Sequence, residues 1–192
     1  FNRLLSINGA RPMFKSSKRK VREKQRELLI ELIETSLITI NDLKKMVFEH
    51  YQTKDEATFD IVRIHCSNVI CFLTSISIRE HSNKIINSLE HEYIENLFQL
   101  LAEALRLDQD QTLIIGKGFV SAHNSYRTKE IFVDTTTGVP SDSDQVTGHF
   151  LQFINESHQL ENTESEEKFS VLIYIELISF FSAVNEKLNT FS

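Results

Sequence analysis

Cys66 and Cys71 stand five residues apart with His65 beside the first, and thiolate and imidazole are the ligands zinc selects. No second ligand pair follows, and the other histidines, His50, His81, His91, His123, His149 and His158, are scattered. The reading is of no metal site and no cofactor. A helix through this apolar stretch points the two cysteines in different directions, which predicts reduced thiols and no disulfide. Asp108 and Asp110 open like a calcium loop, but Leu113 stands where the sharp turn needs Gly and Phe119 where a bidentate Glu is needed. Gly116-Lys117-Gly118 lacks the further glycines and the following Ser or Thr of a phosphate cradle. No Gly-x-Ser-x-Gly elbow occurs. An active site would have to be assembled from distant residues such as His123, Asp134 and His149, and nothing beyond polarity selects them. The chain is therefore read as non-enzymatic.

Charge carries the stronger signal. Phe1 to Arg26 holds nine Lys or Arg residues against the single acid Glu23, a net +8, and the remaining residues sum to −14. The overall charge of −6 thus averages two opposite surfaces. Lys15, Lys18, Arg19, Lys20 and Arg22 fall within eight residues, a cluster that suits a phosphate or an acidic protein surface and is similar to a nuclear import signal. Cations at a helix start oppose the macrodipole, so the cluster does not serve that helix. Residues 1–22 hold no acid and are rich in Arg, Lys and Ser, which is also the composition of a mitochondrial presequence.

The elements that must position these groups read as helices. With 192 residues, 41% of them hydrophobic, and only five Gly and two Pro, the chain suits one helical domain better than a turn-rich sandwich or barrel. Apolar residues at three-and-four spacing predict a first helix from Val21 to Leu37, a short extended piece from Leu37 to Ile40, and a second helix from Asn41 to about His50. Phe59 to Ile78 is apolar on more than one face and is expected at the centre of the core. Lys84 to Arg106 traces one continuous stripe. From 108 to 144 short apolar runs alternate with Gly and polar residues, which predicts an irregular or hairpin-like insertion, two short strands or a helix broken at the glycines. Ser141 and Asp144 have the form of a capping box before a helix through Val146, Phe150, Phe153 and Ile154. Asn155 to Glu167 reads as an exposed acidic linker. Phe169 to Val184 is the most apolar run, too short for a membrane span and interrupted by Glu176, and is expected to be buried core.

The expectation is an all-α bundle or helical-repeat-like domain, with a basic arm at 1–20 and a helical domain at 21–192. Its function is read as a non-catalytic scaffold or regulatory interaction domain of a larger protein, docking a protein partner, without a transmembrane segment. It is placed inside the cell, in the nucleus or cytoplasm, with the mitochondrion as the presequence alternative. A second reading is a nucleic-acid-associated regulator, because the three helices between Lys24 and Asn68 loosely follow a helix-turn-helix plan; Asp55, Glu56 and Asp60 on its recognition helix oppose phosphate. The third reading is an enzyme with a site built from distant residues.

Overall fold

The computed structural model describes residues 11–52, 56–129, 145–158 and 164–191, and nearly all of these lie in helices. The elements are α1 (Arg11–Tyr51), α2 (Glu56–Glu80), the single turn α3 (Lys84–Asn87), α4 (Glu90–Ala104), α5 (Gln109–Tyr126), α6 (Gln145–His158) and α7 (Glu164–Thr190). No strand occurs among the described residues, and the expected all-α class holds.

Helix α2 is the axis of the bundle, and α1, α4, α5, α6 and α7 all pack on it. Every residue from Cys66 to Ser75 is buried, as its all-round apolar composition requires. Three of the buried hydroxyls in this core meet across helices: Tyr93 on α4 reaches Ser36 on α1 and Thr74 on α2. Helices α1 and α7 run antiparallel. Lys187 pairs with Glu31 at 3.5 Å near one end, and the His50 ring stacks on Phe169 at 4.0 Å near the other.

Five expectations are corrected. The first two helices are one: α1 is continuous for 41 residues, through the proposed break at Leu37–Ile40. The β-branched run there costs a few tenths of a kcal/mol per residue in helix propensity, and burial of Thr39 and Ile40 against the core outweighs it. Gln52, with φ 51°, follows the last turn of α1. This continuity removes the helix-turn-helix plan.

The region from 109 to 126 is likewise one helix, passing unbroken through Gly116 and Gly118. Its start is set by Asp108, whose Oδ1 accepts the Gln111 amide at 2.8 Å while Gln111 Oε1 accepts the Asp108 amide at 3.1 Å. The acid that resembles a calcium ligand is a reciprocal helix cap. Gly116 lets α4 and α5 pack closely: a Cβ there would lie 3.1 Å from the Phe98 ring, which would have to shift by a few tenths of an ångström. The remainder of the insertion, 130–144, with its expected strand at Ile131–Val133 and its capping box at Ser141, lies outside the described residues.

The stripe from Lys84 to Arg106 is divided at Ser88–Leu89 into α3 and α4, with Asn83 Oδ1 capping α3 by accepting the Ile85 amide at 2.9 Å. The acidic stretch expected as a linker is partly helical at both ends, since α6 continues to His158 and α7 begins at Glu164; residues 159–163 lie outside the described residues. Phe169–Val184 is helical as expected but buried on one side only. Ile173, Leu177, Phe180 and Val184 face the core, while Val171, Leu172 and Ile175 stay 54%, 54% and 49% exposed.

Candidate functional site

The N-terminal part of α1 leaves the bundle as a charged helical extension. Among the residues whose side chains are described, its first buried ones are Leu28 and Leu29, and every residue from Ser17 to Lys24 is exposed. At 1.5 Å per residue, the helix from Ser17 to Glu27 extends about 15 Å. Lys18, Arg19, Lys20 and Arg22 all lie on it; Lys15 lies in the same helix, but its side chain is outside the described residues. The helical register at about 100° per residue places Lys18, Arg19, Arg22 and Arg26 within one sector about 100° wide. Lys20 and Lys24 fall on the other side, and Val21 and Gln25 lie between the two groups, in line with the buried Leu28 and Leu32. The extension is thus a narrow continuation of the core-facing line of α1, flanked on both sides by cations. Val21 is 40% exposed, and Gln25 Nε2 donates to the Ile85 carbonyl at 3.3 Å.

The charges on this extension work against its own helix. Lys18 with Arg22, Arg22 with Arg26, and Lys20 with Lys24 are like charges one turn apart, each costing about 0.2–0.5 kcal/mol. Among the described residues only Arg19 of this set has a carboxylate partner, Glu23 at 2.8 Å. Both are highly exposed, so the pair contributes little. An acidic ligand laid along the extension would relieve the repulsion.

A second feature was not legible in the sequence. At the opposite end of the α1–α7 pair, α6 and α7 bound an open groove of about 700 Å³ with Leu151, Phe169 and Val171 as its apolar surface and Glu156 and Glu167 among its lining residues. Gly148 also lines it, and a Cβ there would meet nothing within 4 Å. Among the described residues no Lys or Arg lines this groove. The only sequence signal was the apolar excess of α7, since its partners come from residues about 20 and 120 positions away along an antiparallel packing.

The described residues hold two members of the proposed catalytic trio, His123 and His149. Asp134 lies outside the described residues. His123 is buried, its ring packed edge-on to Phe72 at 6.0 Å, and its Nδ1 has no hydrogen-bond partner among the described residues. His149 Nε2 instead lies 3.0 Å from Ser125 Oγ. Burial pushes the His149 pKa down, and Lys129 adds to this against Gln152 and Glu156. Ser125 Oγ donates to the Ala122 carbonyl at 2.7 Å, so its proton is already committed to the backbone. A nucleophile needs that proton directed at the base.

Cys66 and Cys71 are buried free thiols, and burial pushes both pKa values far up, away from the thiolate that metals and electrophiles require. Among the described residues no three His, Cys, Asp or Glu side chains converge as a metal-binding group. Two segments, Thr58–Glu80 and Glu167–Thr190, are long and apolar enough to cross a bilayer by length and composition; the first is 72% buried inside the bundle and the second 33%. Comparison of the chain with protein-family models, curated proteins and solved structures finds no match.

Proposed function

We propose that this chain is a non-catalytic helical interaction domain, acting within a larger protein, whose basic α1 extension docks an acidic protein surface. The observation that carries this reading is the unbroken exposure of residues 17–24 on a helix continuous with the bundle, with Lys18, Lys20, Arg22 and Lys24 free of carboxylate partners among the described residues. A rigid helix presents its cations at low ordering cost, unlike a disordered tail. The two apolar helices are taken as bundle elements, α2 because it is enclosed and α7 because Glu176 interrupts it. Nucleic acid remains the competing ligand for the same cations, now without a helix-turn-helix behind them.

The test compares the intact chain with a form lacking residues 1–20 and with the double variant Lys18→Glu/Arg22→Glu. Binding to polyglutamate and to duplex DNA is measured at low and at physiological salt, where the Debye length falls to about 8 Å. The expected result is salt-sensitive polyglutamate binding that both alterations remove, with the thermal transition retained because the buried face of α1 begins at Leu28. Tight duplex binding at physiological salt without polyglutamate binding would replace this reading with the nucleic-acid one.

A further inference from the structure

We propose that the chain associates with itself head to tail, the basic extension of α1 from one copy lying in the α6–α7 groove of the next. The inference rests on the docking reading above and names its acidic partner. Extension and groove are complementary in two respects. The extension offers an apolar line through Val21 bordered by Lys18 and Arg22 on one side and Lys24 on the other; the groove offers Leu151, Phe169 and Val171 with Glu156 and Glu167. From Val171 an exposed apolar surface continues along α7 through Leu172 and Ile175, which stay 54% and 49% exposed.

The two surfaces cannot meet within one molecule. The extension leaves the bundle at Leu28, whereas the groove is lined by Tyr51 at the far end of the same unbroken helix. Those positions are about 35 Å apart at 1.5 Å per residue, and the extension points away from the groove. Two different complementary patches at opposite ends make a contact that propagates as a chain or closes as a ring, the smallest closed form being a reciprocal pair in which each copy's extension lies in the other's groove.

The experiment is sedimentation velocity on the full chain over a concentration series at about 50 and about 300 mM salt, where screening weakens exposed charge pairs. The expected result is a mass that rises with concentration at low salt, with association at least roughly tenfold weaker at high salt. Lys18→Glu/Arg22→Glu disables the extension. Gly148→Leu fills the groove from a position with open space around it, and Glu156→Lys/Glu167→Lys reverses its charge independently; thermal melts verify that each variant folds. Each variant alone should be monomeric. An extension variant mixed with a groove variant has one compatible pair of surfaces left and should stop at a dimer. A parent that stays monomeric, or variants that still associate, would overturn the proposal. Monomeric protein that still binds polyglutamate through Lys18 and Arg22 overturns self-association and leaves the docking reading standing, whereas monomeric protein without such binding removes both.

Discussion

The Tyr93 hydroxyl lies 2.6 Å from Ser36 Oγ in the fully buried interface between α4 and α1, and donates to Thr74 Oγ1 on α2 at 3.0 Å. Three helices are therefore tied at one point by side chains 57 and 19 residues apart in sequence. Burial, with a smaller contribution from Cys71, pushes the phenol pKa well up, so the hydroxyl keeps its proton. Tyr93→Phe removes the shared partner and leaves Thr74 inside the core without this bond. A loss of about 1–3 kcal/mol is expected in denaturant unfolding. Ser36→Ala should cost less, because the Tyr93 hydroxyl keeps Thr74 Oγ1 as its acceptor at 3.0 Å. The double variant should fall short of the sum, as contacting residues do.

Helix α4 ends in a Schellman motif, with the Leu107 amide on the Ala102 carbonyl and the Arg106 amide on that of Glu103, both at 3.1 Å. The motif needs a left-handed residue, and Arg106 supplies it at φ 54°. A side chain at that conformation costs about 1–2 kcal/mol. Arg106→Gly should therefore stabilise the protein by about 0.5–1 kcal/mol, the remainder being offset by the freer unfolded chain. A lowered melting temperature would show that the Arg106 side chain contributes more than its backbone costs.

Thiol reactivity should report unfolding. With Cys66 and Cys71 buried and their thiolates strongly disfavoured, a thiol reagent at neutral pH should find neither at once, and two per chain after denaturation. The native rate should follow the opening equilibrium and rise in variants such as Tyr93→Phe. Immediate labelling of the native protein would contradict the α2 packing.

Stability should decline with acid in two windows. Burial, aided by Arg79 and Arg127 and opposed by Glu90, lowers the His123 pKa, so the unfolded chain binds a proton first and stability falls as pH drops below about 6.5. Burial raises Glu90, but hydrogen bonds from Arg79 and Ser75 and the nearby positive charge overcome it and leave its pKa lowered. Its contribution is complete above the unfolded carboxylate pKa of about 4.3 and is lost as pH falls through the folded value. His123→Leu should flatten the first decline. Glu90→Gln should be less stable than the parent at neutral pH, with the gap closing towards pH of about 3. Equilibrium unfolding across this range checks both.

Some of this architecture was open to reading in the residues themselves. The stripe from Tyr93 through Leu97 to Leu101 follows from spacing alone, because one face of a helix repeats every three to four residues. Asp108 and Gln111 also carry a cap signature at the right interval, obscured by Asp110 beside them. Leu37 to Ile40 misled in the opposite direction. Its β-branched residues argue locally for a break, and the burial of Thr39 and Ile40 in the core makes helix the lower state.

By itself the sequence determined the helical class, the separation of a basic segment from an acidic body, and the burial of both thiols, since composition, periodicity and charge are local properties. Tertiary structure alone decided that α1 is one helix carrying Lys18, Arg19, Lys20 and Arg22 beyond the core. It also decided that α7 buries one face and exposes Val171, Leu172 and Ile175, and that Gly148, Glu156 and Phe169 line one groove. An apolar helix face specifies only that it requires cover. Which face is covered depends on where α1, α2 and α6 lie, and that is set by packing between residues far apart in the chain.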